Sequence, residues 1–252
     1  MGGVPVMIVI PKRYLPGLML CIFIVLGLTS MLFWGMDSAP HHTAVFSIRD
    51  DVPVTVVIDP GHGGEDGGAV SPDGVEESHL NLKISLRLHD ILRFVGQRTV
   101  LTRETDISIC DAGLNTVRAR KASDIRNRVS LVNNLENAVL LSVHQNSLPS
   151  STVTHGAQVF WNRQKGSEIL ARLMQDSMNL VINPGNEKLP RQIPDTIYLM
   201  KHTTAPAALV ECGFLSNAEE TLCLQESSYQ IKLATAISTG YLRCLVGEEL
   251  TL

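Results

Sequence analysis

The stretch Val56-Val57-Ile58-Asp59-Pro60-Gly61-His62-Gly63-Gly64 decides how this chain folds. Three β-branched residues run into a carboxylate, a proline and a histidine set among glycines, the pattern of a buried strand that delivers polar groups to its C-terminal edge. In an open α/β sheet that edge is where ligands bind. Glycines at 61, 63 and 64 allow a sharp turn and leave the imidazole of His62 within reach of a metal or a substrate. A phosphate cradle fits poorly: Asp66 stands where the dinucleotide fingerprint needs its third glycine, and no Gly-Lys-Ser/Thr follows.

Outward from this strand the chain alternates strand-like and helix-like segments. After the turn signal Ser71-Pro72-Asp73-Gly74, a helical stripe places Leu80, Ile84, Leu88, Ile91, Leu92 and Val95 on one face. Arg98–Thr102 reads as a second strand, 107–115 as a loop, and Val117–Leu135 as a helix whose four arginines and Lys121 read as a solvated face. Ala138–Val143 is uniformly apolar, as a strand covered on both faces should be. Further strands are predicted at Ala157–Trp161, Ile197–Met200 and Ala207–Val210, with helices at Ser167–Val181 and Tyr229–Leu245. In the last of these, Ile231, Ala234, Tyr241, Leu242 and Leu245 are predicted to face inward. Strands alternating with helices indicate a single-domain α/β sandwich with a mostly parallel sheet flanked by helices.

Three of the strands end in a group able to bind a metal or move a proton: His62, His144 in Ser142-Val143-His144-Gln145-Asn146-Ser147, and Glu211 in Leu209-Val210-Glu211-Cys212-Gly213. Parallel neighbours bring such ends together. Two histidines and a carboxylate on a divalent ion, with one position left for water, make a hydrolytic site, and a further carboxylate can serve as general base. Spacing alone leaves the carboxylate ligand open among Glu65, Asp66, Glu76, Glu77 and Glu211. Asn146 is a candidate for substrate binding, or part of a turn. Ser142 lacks the Gly-x-Ser-x-Gly setting of a serine hydrolase. Cys212 reads as a small buried thiol with no base beside it.

The chain has 252 residues, 44% of them hydrophobic and 18% charged, enough for one substantial core. A formal net charge of −4 disfavours a nucleic-acid binder. The five cysteines form no C-x-x-C pair and read as free thiols. Residues 14–35 carry no charge and are long enough to span a bilayer. Lys12 and Arg13 precede this run, which places residues 1–13 in the cytoplasm and the rest outside. No small-x-small site closes the run, so an uncleaved anchor is expected over a signal peptide. Residues 36–53 then form a linker, 54–246 the catalytic domain and 247–252 a tail.

Ile58-Asp59-Pro60-Gly61-His62-Gly63-Gly64, Glu77-x-x-x-Asn81-Leu82, Leu101-Thr102-Arg103, Ser142–Asn146 and Val210–Asn217 together resemble the zinc-dependent N-acetylmuramoyl-L-alanine amidases of the amidase-3 type, in family order, over residues 54 to 246. The resemblance implies that His62, Glu77 and His144 ligate one Zn2+ and that Glu211 is the catalytic base. It also selects Glu77 over Glu76, because the family's ligand glutamate stands four residues before the Asn-Leu pair. Gln145 and His79 depart from residues common in the family, and neither is a ligand. Within the family the likeness is strongest to the germination-specific amidases of spore-forming bacteria, on Arg120-Lys121-Ala122-x-Asp124-x-Arg126-x-Arg128, Ile197–Met200 and the N-terminal run.

These amidases act on peptidoglycan of the spore cortex, at the bond between N-acetylmuramic acid and L-alanine, and work with a muramic acid deacetylase to give muramic δ-lactam. The resemblance also allows an activating partner protein. A vegetative cell-separation amidase is the alternative with the same chemistry. A non-catalytic peptidoglycan-binding module is disfavoured by the presence of all four site residues.

Overall fold

A computed structural model describes residues 53–247. The expected anchor at 14–35, nearly all of the linker and the tail after Gly247 lie outside the described residues. Within them, no helix is long and apolar enough to cross a membrane.

Six strands form one sheet in the order β2-β1-β3-β6-β4-β5. They are β1 (Thr55–Pro60), β2 (Arg98–Leu101), β3 (Ala138–Asn146), β4 (Gln158–Trp161), β5 (Arg191–Gln192) and β6 (Ala207–Phe214). The helices are α1 (Glu77–Phe94), α2 (Val117–Asn133), α3 (Ser167–Val181), α4 (Tyr198–His202), α5 (Ala218–Gln225) and α6 (Ser227–Val246). β2, β1, β3 and β6 are mutually parallel. β4 pairs antiparallel to β6, and β5 follows β4. The expected mostly parallel α/β sandwich is therefore present, with a reversed edge.

From β1 the chain crosses through α1 to β2 on one side, then returns through α2 to β3 on the other. The strand order thus reverses at β1/β3, and in open sheets a crevice opens at the C-terminal ends of such a pair. Alternation along β1 fills two cores. Val56 and Ile58 pack with Leu80, Ile84 and Leu88 of α1 and with α3 and α6. Val57 faces the other way, with Val132 of α2 and Leu199 and Met200 of α4. At Gly240 the backbones of α3 and α6 meet: an added Cβ would lie 2.4 Å from Met174 Cα.

That contact sets the inward face of α6 as Leu233, Ala234, Ile237, Tyr241 and Cys244, and it leaves Ile231, expected inside, 51% exposed. Val95, also expected on the core face, lies just beyond the end of α1 and is exposed. Ile197–Met200 is not a strand but the entry to α4. An all-apolar run of four residues has no period of two to separate a strand from a buried helical turn, and Leu199 and Met200 satisfy the core equally well from a helix. α5 follows Asn217, whose side chain accepts from Glu220 N–H as an N-cap.

The basic helix α2 is not simply solvated. Arg128 is 2% exposed and sends Nη1 to Asp59 Oδ1 at 2.6 Å and Nε to Asp124 Oδ2 at 2.7 Å. Asp59, also buried, accepts from Thr102 Oγ1 at 2.7 Å and Ser142 Oγ at 2.8 Å. Burial alone would raise the Asp59 carboxyl, but Arg128 and these hydroxyls hold it below its ordinary value. Asp59→Ala leaves the Arg128 charge without its partner and is expected to destabilise the fold by about 3–5 kcal/mol in urea unfolding at neutral pH. Because the folded pKa is depressed, the contribution of Asp59 is complete above its unfolded value of about 3.9 and is lost as pH falls through the folded value. The difference between parent and variant should therefore narrow in acid.

Candidate metal centre

The sheet register brings the expected site residues together. β1 and β3 run side by side to Pro60↔Val143, and the next residues on each strand are Gly61 and His144. The His144 imidazole occupies the space where a Cβ on Gly61 would stand, 2.2 Å from Cε1, so any other residue there would displace the ring. Across the other side of β3, His144 pairs with Glu211 of β6.

His62 adopts φ 60°, a left-handed conformation that non-glycine residues hold only when their surroundings impose it. Two guanidinium groups impose it here. Arg128 donates to Pro60 O at 2.8 Å and His62 O at 2.7 Å, while Arg103 donates to Pro60 O at 3.0 Å and Gly61 O at 3.1 Å. Asn81 Nδ2 adds a 3.1 Å bond to Gly61 O. Three consecutive carbonyls are thereby taken up at the point where the chain turns. Burial lowers the Arg103 pKa to about 10.

Glu77, the first residue of α1, is 3% exposed and sits between the two histidines. Its Oε1 lies 2.9 Å from His144 Nδ1 and accepts from Gln145 N and Asn81 Nδ2, both at 3.1 Å. Its Oε2 accepts from Ala69 N at 2.9 Å and lies 3.3 Å from His62 Nε2. The imidazoles meet edge to face with centroids 5.0 Å apart. One ligand atom from each of His62, Glu77 and His144 lies within 4.8 Å of the others, and no other such group occurs among the described residues. Ligands ~2.0–2.2 Å from a tetrahedral Zn2+ stand roughly 3.3–3.6 Å apart, so the 2.9 and 3.3 Å contacts already approach the edges of such a shell. The donor set fits a divalent ion of borderline softness.

The rival carboxylates are placed elsewhere. Glu76 is half-buried beside His79, Glu65 is held by Arg120, and Asp66 meets His62 on Nδ1, the nitrogen away from Glu77. Asn146 is absent from the lining of the cleft; its Oδ1 accepts from Ser147 N at 2.8 Å. Cys212 is buried, and burial pushes its thiol well above the ordinary range. Cys110, Cys223 and Cys244 are likewise free.

Burial would raise Glu77, but the adjacent His144 and His62 hold it well below the usual carboxylate range. Burial would lower His62, yet its bonds to Asp66 and Glu77 push it up to about 9. Burial pushes Glu211 up to about 7, against the pull of His144. One of its oxygens, Oε2, is buried without a hydrogen-bond partner.

A cleft of about 370 Å³ opens over this floor. Lys121 and Ile125 of α2 line it, as do Ile197 and Tyr198 at the start of α4. A cation held by three protein ligands and open to a cleft, with a near-neutral carboxylate beside it, suits hydrolysis of an amide.

Comparison with known proteins accords with this chemistry. The amidase-3 family, N-acetylmuramoyl-L-alanine amidase, matches residues 56–243. The germination-specific N-acetylmuramoyl-L-alanine amidase of Bacillus subtilis is 36% identical over 188 residues, covering 75% of this chain and 78% of that one. Among solved structures, the CwlD amidase of Clostridioides difficile, in complex with the GerS lipoprotein, superposes with a TM-score of 0.72 at 34% identity, covering 76% of this chain and 98% of that one. An N-acetylmuramoyl-L-alanine amidase from Clostridium difficile superposes at 0.63 with 27% identity, over 75% and 95% of the two chains. With its fold, its histidine–glutamate–histidine cluster and a family match across nearly the whole sheet, this chain belongs to the amidase-3 family of N-acetylmuramoyl-L-alanine amidases.

Proposed function

We propose that this amidase is zinc-dependent and removes stem peptides from muramic acid in the spore cortex, at a step leading to muramic δ-lactam and germination. The observation that carries the chemistry is the buried Glu77 carboxylate set between two imidazoles at the floor of an open cleft. Support for the cortex role comes from the 36% identity to the germination-specific enzyme of Bacillus subtilis.

In this reading His62, Glu77 and His144 hold the ion. When bound, Zn2+ supplies Lewis acidity to the scissile carbonyl and acidifies water. Glu211 takes the proton from the attacking water and returns it to the leaving amine of L-alanine. A carboxyl pushed up to about 7 can do both near neutral pH. Arg103, Arg128 and Asn81 keep the His62 turn in place. The N-terminal apolar run holds the domain at the outer membrane face. Partners are a muramic acid deacetylase, which acts on the exposed product, and an activating protein of the kind that the GerS complex exemplifies for CwlD.

Three outcomes are expected. With its pKa near 9, His62 is protonated at neutral pH in the metal-free protein and must lose that proton to ligate. Zinc binding should release about one proton at pH 7, and affinity should rise with pH until about 9 and then level off; calorimetry in buffers of different ionisation enthalpy measures both. Glu211→Gln should keep its zinc while turnover falls ~10²–10⁴-fold on purified muropeptides, and loss of zinc would make Glu211 a ligand. A strain lacking the protein should grow and divide normally yet form spores without muramic δ-lactam. Normal lactam content, or chained vegetative cells, would favour a cell-separation amidase.

A further inference from the structure

His62 presents Nε2 to Glu77 and Nδ1 to Asp66, whose Oδ2 is 3.0 Å away. The other oxygen of Asp66 receives Lys121 Nζ at 2.6 Å. Asp66 reaches this position because the loop after His62 closes on itself: Gly63 N donates to Asp66 O at 2.8 Å, and Asp66 N donates to Gly63 O at 3.2 Å. The neighbouring Glu65 is held by both Arg120 Nε and Nη2, which ties the same loop to α2. Asp66 therefore touches no reacting group, yet it is the only side chain on the outer nitrogen of the ring among the described contacts.

We propose that Asp66 is a positioning residue for metal retention: its carboxylate accepts the Nδ1–H of His62, which leaves the lone pair on Nε2 facing Glu77, and Lys121 holds that carboxylate in place. This rests on the metal reading above. A carboxylate behind an imidazole fixes the tautomer and ring angle and makes the inner nitrogen a better donor; losing such a partner typically weakens metal binding 10–100-fold.

An amide at the same position separates charge from shape, because Asn can still accept the Nδ1–H. Zinc affinity of the full chain, measured by competition with a chromophoric chelator, should fall ~10–100-fold in Asp66→Asn. The visible spectrum of the cobalt-loaded protein should shift, which a merely structural role for Asp66 would not produce. Glu65→Gln loosens the same loop without touching His62 and should leave affinity as in the parent. Affinity within about twofold of the parent in Asp66→Asn overturns the proposal, as does an equal loss in Glu65→Gln. A parent chain that binds no zinc overturns the metal reading and this one with it, so the two failures are distinguishable.

Discussion

The buried ion pair between Asp59 and Arg128 is the contact on which the site depends. Asp59 stands on β1 and Arg128 on α2, and the same guanidinium that neutralises the carboxylate also holds the carbonyls of Pro60 and His62. Strand, helix and turn are tied by one side chain. A buried pair of this kind does not need to add net stability to matter. It gives the turn one geometry, and it does so at the point where the backbone must enter a conformation that a histidine does not favour alone.

From that turn outward the site is layered by charge. Arg103 and Arg128 lie behind the main chain, histidines and Glu77 face the cleft, and Lys121 and Arg120 secure the loop at the rim. The buried acids Asp59, Glu77 and Glu220 have all been given cationic or hydrogen-bonding partners. Half-buried Glu211 keeps an unpartnered oxygen, and burial pushes its carboxyl up to about 7.

Most of the sheet was legible in the residues because β1, β3 and β6 are apolar runs ending in polar groups, and buried parallel strands must look like that. Their ends named His62, His144 and Glu211 as neighbours. The choice of Glu77 over its four rivals was not legible from spacing, since a ligand delivered by the first turn of a helix is placed by tertiary packing; it came from resemblance alone. Arg128 was hidden for a related reason. A charged residue in a charged helix reads as solvated until a buried acid on another element is seen to face it. α4 escaped because four apolar residues carry no periodicity, and α5 was missed as well, although Asn217 and the acids after it form a helix-start signal that could have found it.

The four groups at the floor of the cleft come from positions 62, 77, 144 and 211, and β6, the last strand among the described residues, lies inside the sheet beside β3 rather than at its edge. Such a site has no local precursor. Some of the contacts that create it join residues far apart in sequence, His144 and Glu77 by 67 positions, and each such contact requires a loop to be closed. A nascent or partly folded chain therefore carries the four residues without the hydrolytic arrangement. The arrangement in this peptidoglycan amidase is a property of the assembled sheet and not of any one segment of it.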